Sequence, residues 1–430
     1  MAARAIVQDQ GSSVQADTPS TVSVGIAGYL ASGSTGLEDF RGATQPPGEP
    51  PVAPLENYAN NFSPSHAQTT LTDPPPREGR YRRRGLLWDV SALERVRKCG
   101  RASVMAGGGV AVRSRDGMAG FAGLATCGSV WADPVCNSKV MARRAVEIGA
   151  AVALWQAQGG AVGFATFTMR HHKGQSLPAL WDALSAAWNR TVGGKAWGTD
   201  KGRHGVAGWL RVVEVTYGVN GWHVHVHCVL FLEGKQSDRL VKQLHASMVG
   251  RWASKLVALG LLAPLSIGQE AHLVKDAGDK DLSSYLTKAT DGARRIGLEL
   301  TQTQSKTARG IHKTRSPWAL LDDVEDLGLA ESLGLWHEWE RGSKGRKQMT
   351  WSKGTRERLG LLVEKSDEDV AAEEHGSSAD DLVLIDAAGW KRLTRVPVDL
   401  ARLLAVTEAS GLKGLRAFLD ERAITYSVMD

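Results

Sequence analysis

At 430 residues, with 42% hydrophobic and 23% charged residues, the chain has the make-up of an ordinary globular protein with room for two or three domains. No run approaches the roughly 20 apolar residues of a membrane helix, the N-terminus lacks the basic-then-apolar pattern of a secretory signal, and four cysteines exclude a disulfide scaffold. The low cysteine count suits a reducing cytosol, and the formal charge of +6, with a pI near 9.1, leans towards an anionic partner.

In chain order, residues 1–80 are rich in Ser, Thr, Pro, Gly and Ala, carry no sustained period, and read as a disordered tail. A basic cluster follows: Arg80, Arg82, Arg83, Arg84, Arg95, Arg97, Lys98 and Arg101. The spacing predicts a helix over 137–158, stopped by Gly159-Gly160, a strand over 162–169, and a helix over 176–191 with Pro178 in its first turn. On the first strand Phe164, Thr166 and Thr168 share a face. Two β-rich runs, 209–216 and 222–232, flank Tyr217-Gly-Val-Asn-Gly221, whose Asn-Gly marks a hairpin. Helices are predicted over 240–261 and 282–290, with a short edge strand over 271–275 between them. A second basic stretch runs from Lys288 to Arg315, residues 365–381 are acidic and read as a linker or exposed helix, and residues 381–430 read as small helices. Helices alternate with strands and at least one antiparallel hairpin, so the expected class is α+β.

Residues 221–233 hold three of the twelve histidines at alternate positions. On a strand His223, His225 and His227 point one way, while Val224, Val226 and Cys228 point to a core. A row of imidazoles is costly to bury unless something binds it, and neutral imidazole is the commonest metal ligand. Glu214, on the partner strand, is either a third ligand or a cross-strand surface acid. No cysteine pair lies near enough for a Cys2His2 finger.

Tyr285 stands in Asp281-Leu-Ser-Ser-Tyr-Leu-Thr-Lys288. On a helix Asp281, Tyr285 and Lys288 share a face. A phenol is a weak nucleophile that ionises near pH 10 unless helped, and a nearby ammonium or a metal-bound phosphate gives that help. The bland alternative is that Tyr285 anchors an amphipathic helix and Asp281 caps it.

Together these motifs resemble the HUH endonucleases, specifically the rolling-circle replication initiators of small actinobacterial-type plasmids. The resemblance rests on His225-Val-His227 within Gly221-Trp-His-Val-His-Val-His-Cys, on Phe164-Ala-Thr-Phe-Thr-Met169 before it, and on Tyr285-Leu-Thr-Lys288 after it. Flanking runs at Leu210–His223, Pro317-Trp-Ala-Leu-Leu and Gly345-Arg-Lys-Gln-Met-Thr-Trp-Ser extend it over about residues 95–365. It implies a ferredoxin- or RRM-like antiparallel sheet that presents the histidines, and a divalent ion, Mg or Mn, on His225 and His227. It also implies a nick at plasmid origin DNA, single-stranded or in a hairpin, through a 5′-phosphotyrosine on Tyr285. Asp281 takes the place of an acid that activates water at termination, and His223 falls at a position that varies in the family. Host helicase and polymerase are the implied partners, in a bacterial cytoplasm.

Such chains often carry a cysteine cluster ending in Trp-x-Cys-Pro-x-Cys. Here Asp133 stands where the first of those cysteines is expected, leaving Cys99, Cys127 and Cys136 either to a structural zinc or as buried small hydrophobes. The expected layout is a tail over 1–80, a basic cysteine-containing region over 81–160, an endonuclease domain over 161–320 and a helical region over 321–430. The rival readings are a transposase or relaxase of the same superfamily, and a non-catalytic nucleic-acid-binding protein, which would carry stacking aromatics on the sheet instead of histidines.

Overall fold

The computed structural model describes residues 77–274 and 315–429, apart from 116, 362 and 373–379. They fall within the unit Pro64–Asp430. The tail over 1–76, the helix expected over 282–290 with Asp281, Tyr285 and Lys288, and the basic residues from Lys288 to Lys313 lie outside the described residues.

The described strands form two antiparallel sheets. β1 (Val110–Arg115), β2 (Met118–Ala122), β8 (Asp380–Ile385) and β9 (Tyr426–Val428) build one, in the order β2-β1-β8-β9. β3 (Ala161–Phe167), β4 (Val206–Gly218), β5 (Gly221–Leu232), β6 (Ala271–Leu273) and β7 (Met349–Trp351) build the other, in the order β6-β3-β5-β4-β7. With helices packed on these sheets, the class is α+β.

Alternation along β4 and β5 sorts the two faces of the five-stranded sheet. Val213, Val215, Val224, Val226, Cys228 and Leu230 point to one side, into a core built with Trp181, Leu184 and Trp188 of helix Leu177–Thr191 and Leu244, Met248 and Trp252 of helix Asp238–Ala258. Each of these larger apolar side chains contributes on the order of 2 kcal/mol by leaving water. On the opposite face Leu210, Val212, Val229 and Phe231 pack against Ile148, Val152 and Trp155, from the C-terminal half of helix Pro134–Ala157. That helix starts at Asp133, whose carboxylate caps it through the amides of Val135 and Cys136. It covers one end of the face, and the histidines occupy the other.

The hairpin is tighter than its sequence predicts. Tyr217 and Gly218 belong to β4 and Gly221 to β5, so only Val219 and Asn220 turn. Gly221 takes φ +84, the left-handed residue that lets a short turn hand over to a twisted strand. The C-terminal segment also differs from its reading as small helices: between β8 and β9 lie a short helix, Ala387–Leu393, and a long one, Pro397–Glu421.

The N-terminal basic cluster does not stand free for an anionic partner. Arg82 and Arg83 meet Asp322 at 3.1 and 2.7 Å, Arg84 meets Asp133 at 2.7 Å, and Lys98 meets Glu94 at 2.6 Å. The acidic stretch is answered in the same way: Asp367 pairs with Arg144, Glu368 with Arg95 and Asp381 with Arg113. Among the described residues, these runs of like charge are largely engaged in ion pairs within the chain.

Candidate metal centre on the histidine strand

Glu214 lies directly opposite His225 in the β4–β5 register. Its Oε2 is 2.8 Å from His225 Nε2 and 3.1 Å from His227 Nε2, and the two nitrogens are 3.1 Å apart. Glu214 is therefore no surface acid, being 5% exposed. Three donor atoms on a triangle of this size match one face of an octahedron, whose edge is about 3.0 Å when metal–ligand bonds are about 2.1 Å. Three ligands on one face leave the remaining positions for substrate oxygens or water.

The surroundings suit that role. His227 Nδ1 lies 3.2 Å from the hydroxyl of Thr166, a bond that turns Nε2 inward. Burial alone would raise the Glu214 carboxyl, but His225 and His227 overcome it and hold the acid well below the usual carboxylate range. Glu214 thus stays anionic, as a ligand must.

His223 shares the strand face but not the triangle. Its Nδ1 is 2.9 Å from Nε2 of His171, and Nδ1 of His171 is 2.9 Å from the carbonyl of Asn220. A carbonyl only accepts, so His171 donates from Nδ1 and its Nε2 takes the proton of His223. Burial, then the neighbouring imidazoles of His225 and His171, push His223 down to about 3, so this pair is neutral. The same-face rule placed three histidines together. It could not tell which would turn to Glu214 and which to a loop 52 residues away.

The second donor cluster is Cys99, Cys127, Asp133 and Cys136, brought together from the loop after Glu94–Lys98, the loop after β2 and the start of helix Pro134–Ala157. Cys136 Sγ is 3.5 Å from Cys99 Sγ and 3.8 Å from Cys127 Sγ. Zinc–sulfur bonds of about 2.3 Å give a tetrahedral edge of about 3.8 Å, so the thiols fit. Backbone amides of Cys127 and Ser129 donate to Cys99 Sγ and Cys127 Sγ. Asp133 Oδ1 already accepts from Arg84, Val135 and Cys136, while Oδ2 accepts only from Arg84 Nε at 3.0 Å. Arg84 Nη2 also reaches Cys99 Sγ and Cys136 Sγ, each at 3.5 Å. Thiol donation from Cys127 and Cys99 holds Cys136 well below the usual thiol range. Cys228, by contrast, is a buried core thiol pushed up by burial.

Sequence reasoning missed Arg84 in the cysteine cluster and His171 beside His223. Neither had a local signal, because each partner lies about 50 residues away along the chain. Thr166 was visible only as a same-face neighbour of Phe164. The structure brings Glu214, His225 and His227 together, leaves His223 to one side, and does not describe Tyr285, Asp281 or Lys288.

Residues 124–245, which hold β3–β5 and Glu214, His225 and His227, match the family model described as "Replication protein". The chain is 30% identical over 369 residues to "Protein rep" of Streptomyces lividans, an alignment covering 71% of this chain and 80% of that one. The chain belongs to the family of plasmid replication proteins. A second relative, "Neomycin resistance protein" of Streptomyces cyanogenus, is 34% identical over 163 residues, covering 31% of this chain and 37% of that one. No solved structure matches. The matched span of the replication-protein family includes Cys127, Asp133 and Cys136 but neither Arg84 nor Cys99. Among the described residues, no helix is long and apolar enough to cross a membrane.

Proposed function

We propose that this plasmid replication protein cuts one strand of its origin DNA with a tyrosine and later rejoins it. The observation that supports this most is the convergence of Glu214 Oε2, His225 Nε2 and His227 Nε2 in a member of that family. These three residues would hold a divalent ion, and two imidazoles with one carboxylate suit Mn better than Mg, which prefers oxygen. When bound, the ion polarises the scissile phosphate and offsets the charge that develops on it.

Tyr285 is the nucleophile of this reading. Its Oη forms a bond to phosphorus and loses its proton, the bond from phosphorus to the 3′ oxygen breaks, and that oxygen leaves as a hydroxyl after taking up a proton. Lys288, three residues on, favours the phenolate. Asp281, four residues before, takes the proton of water in the cut that ends a round. The 3′ hydroxyl primes the host polymerase while a host helicase opens the duplex ahead, in the bacterial cytoplasm. Joining is the reverse exchange, a 3′ hydroxyl displacing the tyrosine.

The test is a single-stranded oligonucleotide spanning the origin of the encoding plasmid, incubated with the full chain and Mn. A covalent protein–DNA adduct is expected on a denaturing gel, lost in Tyr285→Phe and with chelator. An adduct that persists in Tyr285→Phe would sink the nucleophile assignment, and full cutting in chelator would sink the metal. For the cysteine cluster we propose zinc on Cys99, Cys127, Cys136 and Oδ2 of Asp133, with Arg84 offsetting the negative charge. Elemental analysis should then find one zinc per purified chain. Finding none would leave Arg84 itself as the counter-ion of the thiols.

A further inference from the structure

After β3 ends at Phe167, the chain passes the hairpin tip as Arg170-His171-His172-Lys173. This loop is fixed beside the metal centre from two directions. His171 is bonded to Asn220 and to His223, whose ring centroid is 4.9 Å from that of His225. A Cβ on Gly221 would come within 3.0 Å of Lys173 Cα, so loop and hairpin approach this closely because position 221 is glycine. The loop is also closed on itself: the amide of His172 donates to Gln175 Oε1 at 2.9 Å, Gln175 N donates to His172 O at 3.0 Å, and Gly174 N to His172 Nδ1 at 3.2 Å.

A backbone held this firmly presents two cations that the fold does not use. Arg170 and Lys173 are exposed, and neither has an ion-pair partner among the described residues. The buried or half-buried arginines Arg83, Arg84, Arg144 and Arg251 answer carboxylates instead, and what sets Arg170 and Lys173 apart from other exposed cations is the braced loop beside the metal centre. Within β3 the face of Phe164 and Thr166 carries the histidines, and Arg170 follows three residues after the strand ends. Free cations on a braced loop at the rim of this centre suit a chain of phosphates.

We propose that the Arg170–Lys173 loop is a phosphate clamp for the single strand at the cutting site. Arg170 and Lys173 grip phosphates flanking the one to be cut, and His171 is the positioning residue that ties the loop to His223. The proposal rests on reading Glu214, His225 and His227 as the DNA-cutting centre. Specificity for sequence is not asked of this loop, since phosphate contacts set register and affinity instead.

The test measures binding of the full chain to the labelled origin strand by fluorescence anisotropy over a salt series, with chelator present so that nothing is cut. Arg170→Ala with Lys173→Ala should weaken binding at least about 10-fold and flatten the plot of log K against log salt by about 1.4, or about 0.7 per lost phosphate contact on single strands. The thermal midpoint should not move, because neither side chain has a partner to lose. His171→Ala should weaken binding severalfold while leaving the slope as in the parent, since both charges remain. Lys391→Ala, removing an exposed cation of helix Ala387–Leu393, should change neither. An unchanged slope in the double variant, with the parent binding and cutting normally, overturns the clamp alone. A parent that neither binds nor cuts the strand overturns the reading of the centre and the clamp with it.

Discussion

Glu214, His225 and His227 stand at the end of a sheet face that helix Pro134–Ala157 does not cover, with side chains 6, 11 and 14% exposed. Cys99, Cys127, Asp133 and Cys136 lie where none is more than 1% exposed. Both groups bring donor atoms to ion-coordinating distance, yet they are built for different ends. The cysteine cluster spends its atoms inward. Its carboxylate caps a helix and holds an arginine, and its sulfurs take backbone amides, so it has no face left for a substrate. The histidine cluster spends no donor on a helix cap or an arginine among the described residues, and its two imidazoles keep some exposure. Catalytic metal sites keep open positions and structural ones close them, and here that difference separates the two clusters before any ion is considered.

The comparison breaks most visibly under paired substitution. His225→Ala with His227→Ala should reduce Mn-dependent nicking by at least about 10³-fold, the scale on which removing electrostatic stabilisation of a transition state acts. With Glu214→Gln added, so that no carboxylate is left buried without its histidines, the protein should unfold near the parent's temperature, because a buried ionic group replaced as a whole contributes little net stability. A large fall in midpoint would mean that the centre holds the sheet together, and that the two clusters do not divide as argued.

The sealed cluster should answer in the opposite way. Arg84→Met keeps the bulk of the side chain but leaves Asp133 buried without its cation, which costs about 3–5 kcal/mol when one partner of a buried pair is removed. Chemical denaturation should show that loss, while nicking per folded molecule stays within a factor of two. Activity lost without a change in stability would place Arg84 in the chemistry and sink the division.

A finer test lies within the histidine centre. Thr166→Val is close to isosteric, suits a strand, and removes only the hydroxyl beside His227 Nδ1. Losing such an outer partner should raise the Mn concentration needed for half-maximal nicking by about 10–100-fold. The rate at saturating Mn should hardly change. A lower saturating rate with the same Mn requirement would mean that Thr166 acts on the DNA.

What could be read in advance follows the range of the interaction. The period of two put His223, His225 and His227 on one face, and the Asn-Gly signal put Glu214 on the partner strand, because strand period and turn chemistry are local; the loop reads as five residues, and only the structure's two-residue turn sets Glu214 opposite His225. The four-stranded sheet was not legible. Its central pair joins Val110–Arg115 to Asp380–Ile385, some 270 residues apart, and Leu382-Val-Leu-Ile385 is too short an apolar run to tell strand from helix. Arg84 was counted as part of a basic cluster because a string of residues shows charge but not partners. Cys127 and Cys136 were visible as a pair. The carboxylate between them looked like a defect until its cap and its arginine appeared.

The smallest effect concerns where the fold begins. Composition sets the tail boundary at residue 80, whereas the first described helix, Arg77–Val90, starts three residues earlier. Those residues pair with the C-terminal helix: Arg77 makes two bonds of 2.8 Å to Glu408, and Glu78 lies 3.4 Å from Arg402. Arg77 and Glu408 are about a quarter to a third exposed and Glu78 and Arg402 about half, so water screens both pairs, and the Arg77–Glu408 pair contributes about 0–1 kcal/mol. A chain begun at residue 70 should match the parent in midpoint and in nicking of short oligonucleotides. A chain begun at residue 81 should lose both pairs and the first helical turn, lowering stability by roughly 1 kcal/mol in total with nicking unchanged. If both truncations behave alike and match the parent, the pairs are idle. If removal of residues 1–69 alone lowers the midpoint by several degrees, the tail packs on the fold, and composition has misjudged it.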